Sequence, residues 1–198
     1  MLRGHRHPVV SIHLSRLAAP MIGTPESVVL LDEYGAPVGT APKATVHSTE
    51  TPLHLAFSCH VFDESGRVLV TRRALGKATW PGVWTNSFCG HPAPGEGFEE
   101  AIVRRAAHEL GLVVREVRSA LPDFRYRAVD ASGIVENEIC PVFTALTEGD
   151  PAPSADEVAE WAWVDPDDLR AAVAATPFAY SPWLGWQLAA WPSDYSAR

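Results

Sequence analysis

A chain of 198 residues, 46% hydrophobic and 20% charged, carries enough apolar side chain to bury a core without disulfide or metal staples. Its formal net charge of -8 excludes a protein that coats nucleic acid, because neutralising phosphates takes a broad basic surface. No apolar run is long enough to span a bilayer, and three widely spaced cysteines without a C-x-x-C pair exclude a disulfide framework and point to a reducing compartment.

Residues 1–25 hold Arg3, Arg6 and Arg16 and no acidic residue, a pattern shared with transit segments. The interrupted apolar stretch VVSIHLSRLAAPMIG reads instead as a disordered N-terminal extension, or as upstream of a true start at Met21. A single domain is expected over 26–198. ESVVLLDEYGAPVGTAPK reads as a hairpin: a strand over Val28–Leu31, a turn at Asp32–Gly35 and a return ending near Thr40. Leu53–Phe62 reads as one strand, DESG as a turn and Arg67–Arg73 as the return. ALGKATWPGVWTNSFCGHPAPGE, rich in Gly, Pro and Trp, reads as loop. GFEEAIVRRAAHELGL is the clearest helix, with Phe98, Ile102, Ala106 and Leu110 on one side, Glu99 and Glu100 in the first turn and Gly111 as the stop. DFRYRAV and GIVENEICPVFTAL read as two strands joined by DASG, WAWVDP as a short strand, and PDDLRAAVAA and SPWLGWQLAAW as helices. Strands and helices mix without strict alternation, so the fold class is α+β.

The chemistry gathers in a few segments. In IVENEICPVF, Glu136 and Glu138 fall on one face of a strand flanked by apolar residues. Two carboxylates on a buried face repel each other unless a cation or a hydrogen-bond donor joins them. His47, His54 and His91 are candidate partners, although each alone is more often a structural histidine. Three imidazoles and two carboxylates suit Mn, Fe or Zn better than Mg. Cys89, two residues before His91, could bind metal, carry out redox chemistry or move a proton. Lys43, Arg73 and Lys77 offer positive charge for a small anion. Arg72, next along its strand, points the other way.

Gly90, Glu96, Arg104, Glu109, Gly111 and Leu112 match G-x5-E-x7-R-x4-E-x-G followed by an aliphatic residue, the skeleton of the Nudix box. Arg105 and His108 stand where hydrolases of that family carry glutamates, which argues against hydrolysis. Arg105, four residues before Glu109 on the same helical face, could hold a phosphate beside a metal held by Glu109. Together, LHLAFS, TRRALGK, WPGVWTNSFCGHP, PDFRYRA, GIVENEICPVF and ATPFAYSPW resemble the type I isopentenyl diphosphate isomerase family, a non-hydrolysing branch of the Nudix fold. The resemblance runs in order from about residue 26 to residue 190.

That resemblance implies a Nudix-like α+β domain, a mixed sheet flanked by helices, that interconverts isopentenyl and dimethylallyl diphosphate through a tertiary carbocation. It implies Cys89 and Glu138 as the proton-transfer residues on opposite faces of the substrate. Tyr126 would bond near Glu138, and Trp183 would lie over the cation. His47, His54, His91, Glu136 and Glu138 would hold one divalent ion, Mn2+ or Zn2+. Glu109 and the Cys89 carbonyl would hold a Mg2+ that arrives with the substrate diphosphate. Lys43, Arg73, Lys77 and Arg105 would grip that diphosphate. The corresponding expectations are a cytoplasmic monomer of isoprenoid precursor biosynthesis with a small-molecule substrate and neither nucleic acid nor membrane as partner. His60, Cys140, Trp186 and Trp191 are expected to be structural. Two other readings are a Nudix-type diphosphate hydrolase and a silent diphosphate- or protein-binding domain. Arg105 and His108 weigh against the first, and the presence of Cys89, Glu138, Tyr126 and Trp183 against the second.

Overall fold

A computed structural model describes residues 26–192 and 194–196; the expected extension, residues 1–25, lies outside the described residues. In chain order the elements are β1 (Ser27–Leu31), β2 (Pro37–Pro42), α1 (Lys43–Val46), β3 (His54–Leu55), β4 (Phe57–Phe62), β5 (Val68–Arg73), β6 (Trp84–Thr85), β7 (Phe88–Gly90) and α2 (Phe98–Arg105). They continue with β8 (Val114–Leu121), β9 (Arg125–Val129), β10 (Val135–Ile139), β11 (Val142–Thr147), β12 (Val158–Val164), α3 (Pro166–Ala175) and α4 (Pro182–Ala190). The strands form two sheets, ordered β2-β1-β3-β10-β9 and β12-β5-β4-β11-β8, with β6 added to β5 and β7 to β4.

Two segments that read as single strands each serve both sheets. The expected strand Leu53–Phe62 divides at Ala56 into β3 and β4, which lie in different sheets. GIVENEICPVFTAL divides at Cys140–Pro141 into β10 and β11, since Pro141 has no N–H to continue a ladder. The two breaks face each other: Ala56 N donates to Ile139 O and Ser58 N to Pro141 O. Both pairs, β3 with β10 and β4 with β11, run parallel. The chain therefore crosses between sheets twice at one place, and the residues on either side of the crossing become neighbours.

The segment read as loop contains β6 and β7, held through Thr71 opposite Thr85 and Cys59 opposite Phe88. β8 gave no clear strand signal. It carries Arg115, Glu116 and Arg118, pairs among the described residues only with β11 and has an irregular register. Such charge is what an edge strand tolerates.

The helix over Phe98–Leu110 follows the expected stripe. Ile102, Ala106 and Leu110 are buried against Phe57, Leu69 and Phe143. After Arg105 the helix widens into a π turn, Ala106–Leu110, which Gly111 closes at φ 63. A Cβ on Gly111 would also stand 2.9 Å from Ala152 O, so both conformation and space require glycine there. On the other side of the second sheet, α3 and α4 cover Phe62, Val68 and Val142 with Leu169, Val173, Leu184 and Leu188.

Candidate active site

The crossing of the two sheets opens into a cavity of about 180 Å³. Every side chain nominated from the sequence lines it except His54, which is fully buried in the wall behind.

The strand register builds the first part. Glu138 on β10 is paired with His54 on β3 and with Tyr126 on β9, so the three stand in one row. Tyr126 donates its hydroxyl to Glu138 Oε2 at 2.9 Å, and Glu136 Oε2 lies 3.4 Å from the same hydroxyl. Glu138 Oε1 is 3.3 Å from His91 Nε2 and 3.4 Å from His54 Nε2. His47, His54, His91 and Glu138 each present one donor atom, all within 4.8 Å of one another. Glu136 stands at the edge of this group, its Oε2 3.7 Å from His47 Nε2 and its Oε1 accepting from Thr79 Oγ1 at 2.6 Å.

These residues fit a divalent cation. His54 donates Nδ1–H to Pro52 O at 2.9 Å, so in its neutral form the Nε2 lone pair is the one aimed at the group. His54 Nε2 and His47 Nε2 are buried without a hydrogen-bond partner. Unpartnered imidazole nitrogens beside a buried carboxylate, with no apolar filler between them, form a donor set for one metal ion. Burial, reinforced by the neighbouring His91, pushes His47 down to about 4, so it keeps its lone pair at neutral pH. Burial would raise Glu138, but the imidazoles of His54 and His91 lying against it outweigh burial and hold the carboxyl well below its usual range. Burial, then the charge of Glu138, raises Tyr126 and makes it a firm hydroxyl donor.

The second part is cationic. Arg73, Lys43, Lys77 and Arg105 all reach the cavity, whereas Arg72 faces away to Gly82 O and Glu160. Arg105 bonds Glu109 through Nε (2.7 Å) and Nη2, and reaches Glu26 through Nη1 at 2.9 Å. Lys43 is 2.6 Å from the other oxygen of Glu26, and Lys77 pairs with Glu157. Arg73 donates to Thr79 O. Lys43, Lys77 and Arg105 are thus balanced by Glu26, Glu109 and Glu157, while Arg73 is held by Thr79. Only Glu109 was nominated; Glu26 and Glu157 gave no sequence signal, because an isolated glutamate beside a turn looks solvated. Burial raises Glu109, with the Arg105 charge opposing. His108 is exposed on the outer side of the π turn and takes no part.

The third part is the wall around Cys89. Burial pushes its thiol up to about 12, against a lowering hydrogen bond from Ser58, so it rests as a neutral S–H. Trp183 is buried and donates Nε1–H to Asn86 Oδ1 at 3.1 Å. The Arg73 guanidinium lies 5.7 Å from its ring centre. Gly90, next to the cysteine, has no room for a side chain: a Cβ would sit 2.8 Å from the Phe57 ring and 3.1 Å from Arg105 Cγ. Asn86 was missed in the sequence, although Thr-Asn-Ser before a strand marks a polar turn that a buried segment must satisfy.

Comparison with known proteins identifies the family. The NUDIX domain model matches residues 52–184. The isopentenyl-diphosphate Delta-isomerase of Leifsonia xyli subsp. xyli is 70% identical over 87% of this chain and 92% of its own length. That of Kocuria rhizophila is 64% identical over 83% and 92%. The chain belongs to the isopentenyl-diphosphate Delta-isomerase family within the Nudix fold. A crystal structure of DR0079 from Deinococcus radiodurans superposes with a TM-score of 0.64 over 83% of this chain and 98% of that one. At 19% identity it speaks to the fold alone. Membership bears on the hydrolase alternative too, since the box of this branch places Arg105 and the exposed His108 where hydrolases need metal-binding carboxylates. Among the described residues, no helix is long and apolar enough to cross a membrane.

Proposed function

We propose that this enzyme interconverts isopentenyl and dimethylallyl diphosphate by moving a proton on and off the allylic carbons. The observation that carries this reading is the convergence, in one cavity, of a half-buried thiol, a buried carboxylate–tyrosine pair and four cations, in a chain 70% identical to an isomerase. The diphosphate lies against Lys43, Arg73, Lys77 and Arg105, exchanging the present pairs with Glu26 and Glu157 for phosphate oxygens. The hydrocarbon end then reaches Cys89, Glu138 and Trp183. A proton added at C4 breaks the C3–C4 π bond and leaves positive charge at C3. Loss of a proton from C2 forms the C2–C3 double bond. Cys89 and Glu138 carry out these two transfers, exchanging roles between the forward and reverse directions. Tyr126 holds the Glu138 oxygen in place and can pass it a proton. Trp183 offers an aromatic face to the cation, worth on the order of 2 kcal/mol when desolvated, without acting as a nucleophile. A seated substrate must displace the water that would trap the cation as an alcohol.

His47, His54, His91 and Glu138, with Glu136 as a fifth ligand, would hold Mn2+ or Zn2+, and Glu109 with the Cys89 carbonyl would hold Mg2+ together with the diphosphate. The bound ions supply positive charge that fixes Glu138 and neutralises the substrate. We take the enzyme to be a cytoplasmic monomer. Incubation with isopentenyl diphosphate and both metals in deuterated water, followed by NMR, tests the reading. Deuterated dimethylallyl diphosphate without phosphate release is expected. Released phosphate would revive the hydrolase, and an unchanged substrate would leave a binding domain.

A further inference from the structure

Behind Cys89 runs a line of buried polar groups that the reaction does not use. Ser58 on β4 is the register partner of Cys89 on β7, so the two side chains share a face. Ser58 Oγ lies 3.2 Å from Cys89 Sγ. Gln187 on α4 donates Nε2–H to Ser58 Oγ at 2.8 Å, and its Oε1 is 2.9 Å from His60 Nε2. His60 Nδ1 meets the hydroxyl of Tyr195. Ser58, His60 and Gln187 are fully buried, and Tyr195 nearly so. The sequence assigned His60 only a structural place.

The donor rules give this line a direction. A neutral imidazole has one N–H and one lone pair, and a carboxamide has one donating and one accepting end. Tyr195, a buried phenol, has a proton to give, and His60 Nδ1 is its hydrogen-bond partner among the described residues. His60 then carries its proton on Nε2 and donates to Gln187 Oε1. Gln187 Nε2 donates to Ser58, which is left with its own hydrogen to donate onward. Two sulfurs are within reach, Cys89 at 3.2 Å and Cys140 at 3.5 Å, and the nearer is Cys89. The reverse direction would leave a buried phenolic O–H without an acceptor, at a cost of roughly 1–3 kcal/mol.

Asn86 closes the remaining exit. Its Oδ1 is 3.5 Å from Cys89 Sγ but already accepts from Thr85 Oγ1 at 2.9 Å and Trp183 Nε1 at 3.1 Å. That oxygen therefore has two shorter donors than Cys89, which makes the cysteine the weakest of its three contacts and the oxygen a poor acceptor for the cysteine hydrogen.

We propose that Tyr195, His60, Gln187 and Ser58 form a one-way hydrogen-bond chain that positions the Cys89 sulfur, ending in a donated hydrogen that aims the cysteine S–H at the substrate. It rests on the reading of Cys89 as a proton-transfer residue. The chain orients and does not conduct, because a carboxamide in the middle cannot pass a proton while keeping its amide form. These four are positioning residues, and none touches the substrate.

The test combines two readouts. Nitrogen-15 NMR of the substrate-free protein reports the His60 tautomer, and steady-state kinetics report kcat and KM for three variants. Ser58→Ala removes the last donor. Gln187→Glu keeps the shape but makes the middle link accept from both sides. Tyr195→Phe deletes one oxygen far from the cavity and frees the chain to reverse. The expected result is a His60 protonated on Nε2, with Ser58→Ala and Gln187→Glu lowering kcat about 10- to 100-fold while KM stays within about twofold. Tyr195→Phe, the mildest change, should lower kcat by about 3- to 10-fold. Thermal unfolding identifies any variant that fails to fold, and the remaining two then decide. A His60 protonated on Nδ1, or a folded Ser58→Ala with parental kcat, overturns the chain. A parent without isomerase turnover overturns the reading beneath it instead, and the tautomer still judges the chain by itself.

Discussion

At the scale of single residues, the site depends on a few atoms held where water would otherwise satisfy them. Desolvation holds Cys89 as a thiol, and Glu138 stays charged beside the imidazoles of His54 and His91. Replacing Cys89 by Ala removes the proposed proton carrier and no cation that would meet the diphosphate. Turnover should fall by about 10²- to 10⁴-fold, while diphosphate binding measured by calorimetry stays within a few-fold. A variant that keeps most of its activity would remove Cys89 from the chemistry. His60 gives a second residue-level prediction. Burial pushes it down to about 4, with the Gln187 bond opposing. A base depressed by folding stays neutral in the native state while the unfolded chain takes up a proton. Its contribution is therefore complete above about pH 6.5 and lost as pH falls towards 4. The stability difference between the parent and His60→Gln, measured by urea unfolding, should shrink by up to roughly 3 kcal/mol across that window. A difference that stays constant would refute the assignment.

At the scale of elements, the site is assembled by register and close approach. The row His54–Glu138–Tyr126 exists because β10 pairs with β3 on one side and β9 on the other. β7 lies flat on β4 because Gly90 lets the Phe57 ring and the Arg105 stem come near. Gly90→Ala must push Phe57 or Arg105 aside and should cost about 1–3 kcal/mol in chemical denaturation. Activity should fall as well, since both Cys89 and Arg105 move. A cost below about 0.5 kcal/mol would mean that β7 can shift without strain. Much at this scale was legible. The box helix, the β1–β2 hairpin and the single face of Glu136 and Glu138 all follow from periodicity and turn residues. The division of Leu53–Phe62 was not, because nothing within LHLAFSCHVF marks Ala56 as a crossing. Its cause is the partner segment broken by Pro141, more than eighty residues away in sequence. β8 was hidden because an edge strand need not alternate cleanly.

At the scale of the molecule, the metal donors tie separate parts of the chain together. His54 and Glu138 belong to one sheet, His91 follows β7 of the other, and His47 follows α1. An ion held by all four should stabilise the whole fold. At a thousand times its dissociation constant it contributes about 4 kcal/mol, so chelation should lower Tm by roughly 10 °C. Mn2+ or Zn2+ should restore the loss, and Mg2+ alone should not. An unchanged Tm after complete chelation would show that the four donors do not hold a structural ion. The cationic pocket is likewise a property of the molecule. Glu26 beside β1, Glu109 from the box and Glu157 beside β12 pair with Lys43, Lys77 and Arg105, three cations that a diphosphate would compete for.

The sequence by itself determined the chemistry available: which side chains could bind metal, carry a proton or grip an anion, and that two hydrolase glutamates are replaced by Arg105 and His108. Motif spacing is local, and residue type fixes what an atom can donate or accept. Only the tertiary structure decided which atoms are free to act. It pairs Lys43, Arg105 and Lys77 with Glu26 and Glu157, sets Glu136 at the edge of the four candidate metal donors and seats Trp183 on Asn86. It also places Ser58, Gln187, His60 and Tyr195 in line behind Cys89. Those relations depend on burial and on which strand lies beside which, and both arise from contacts between residues far apart in the chain.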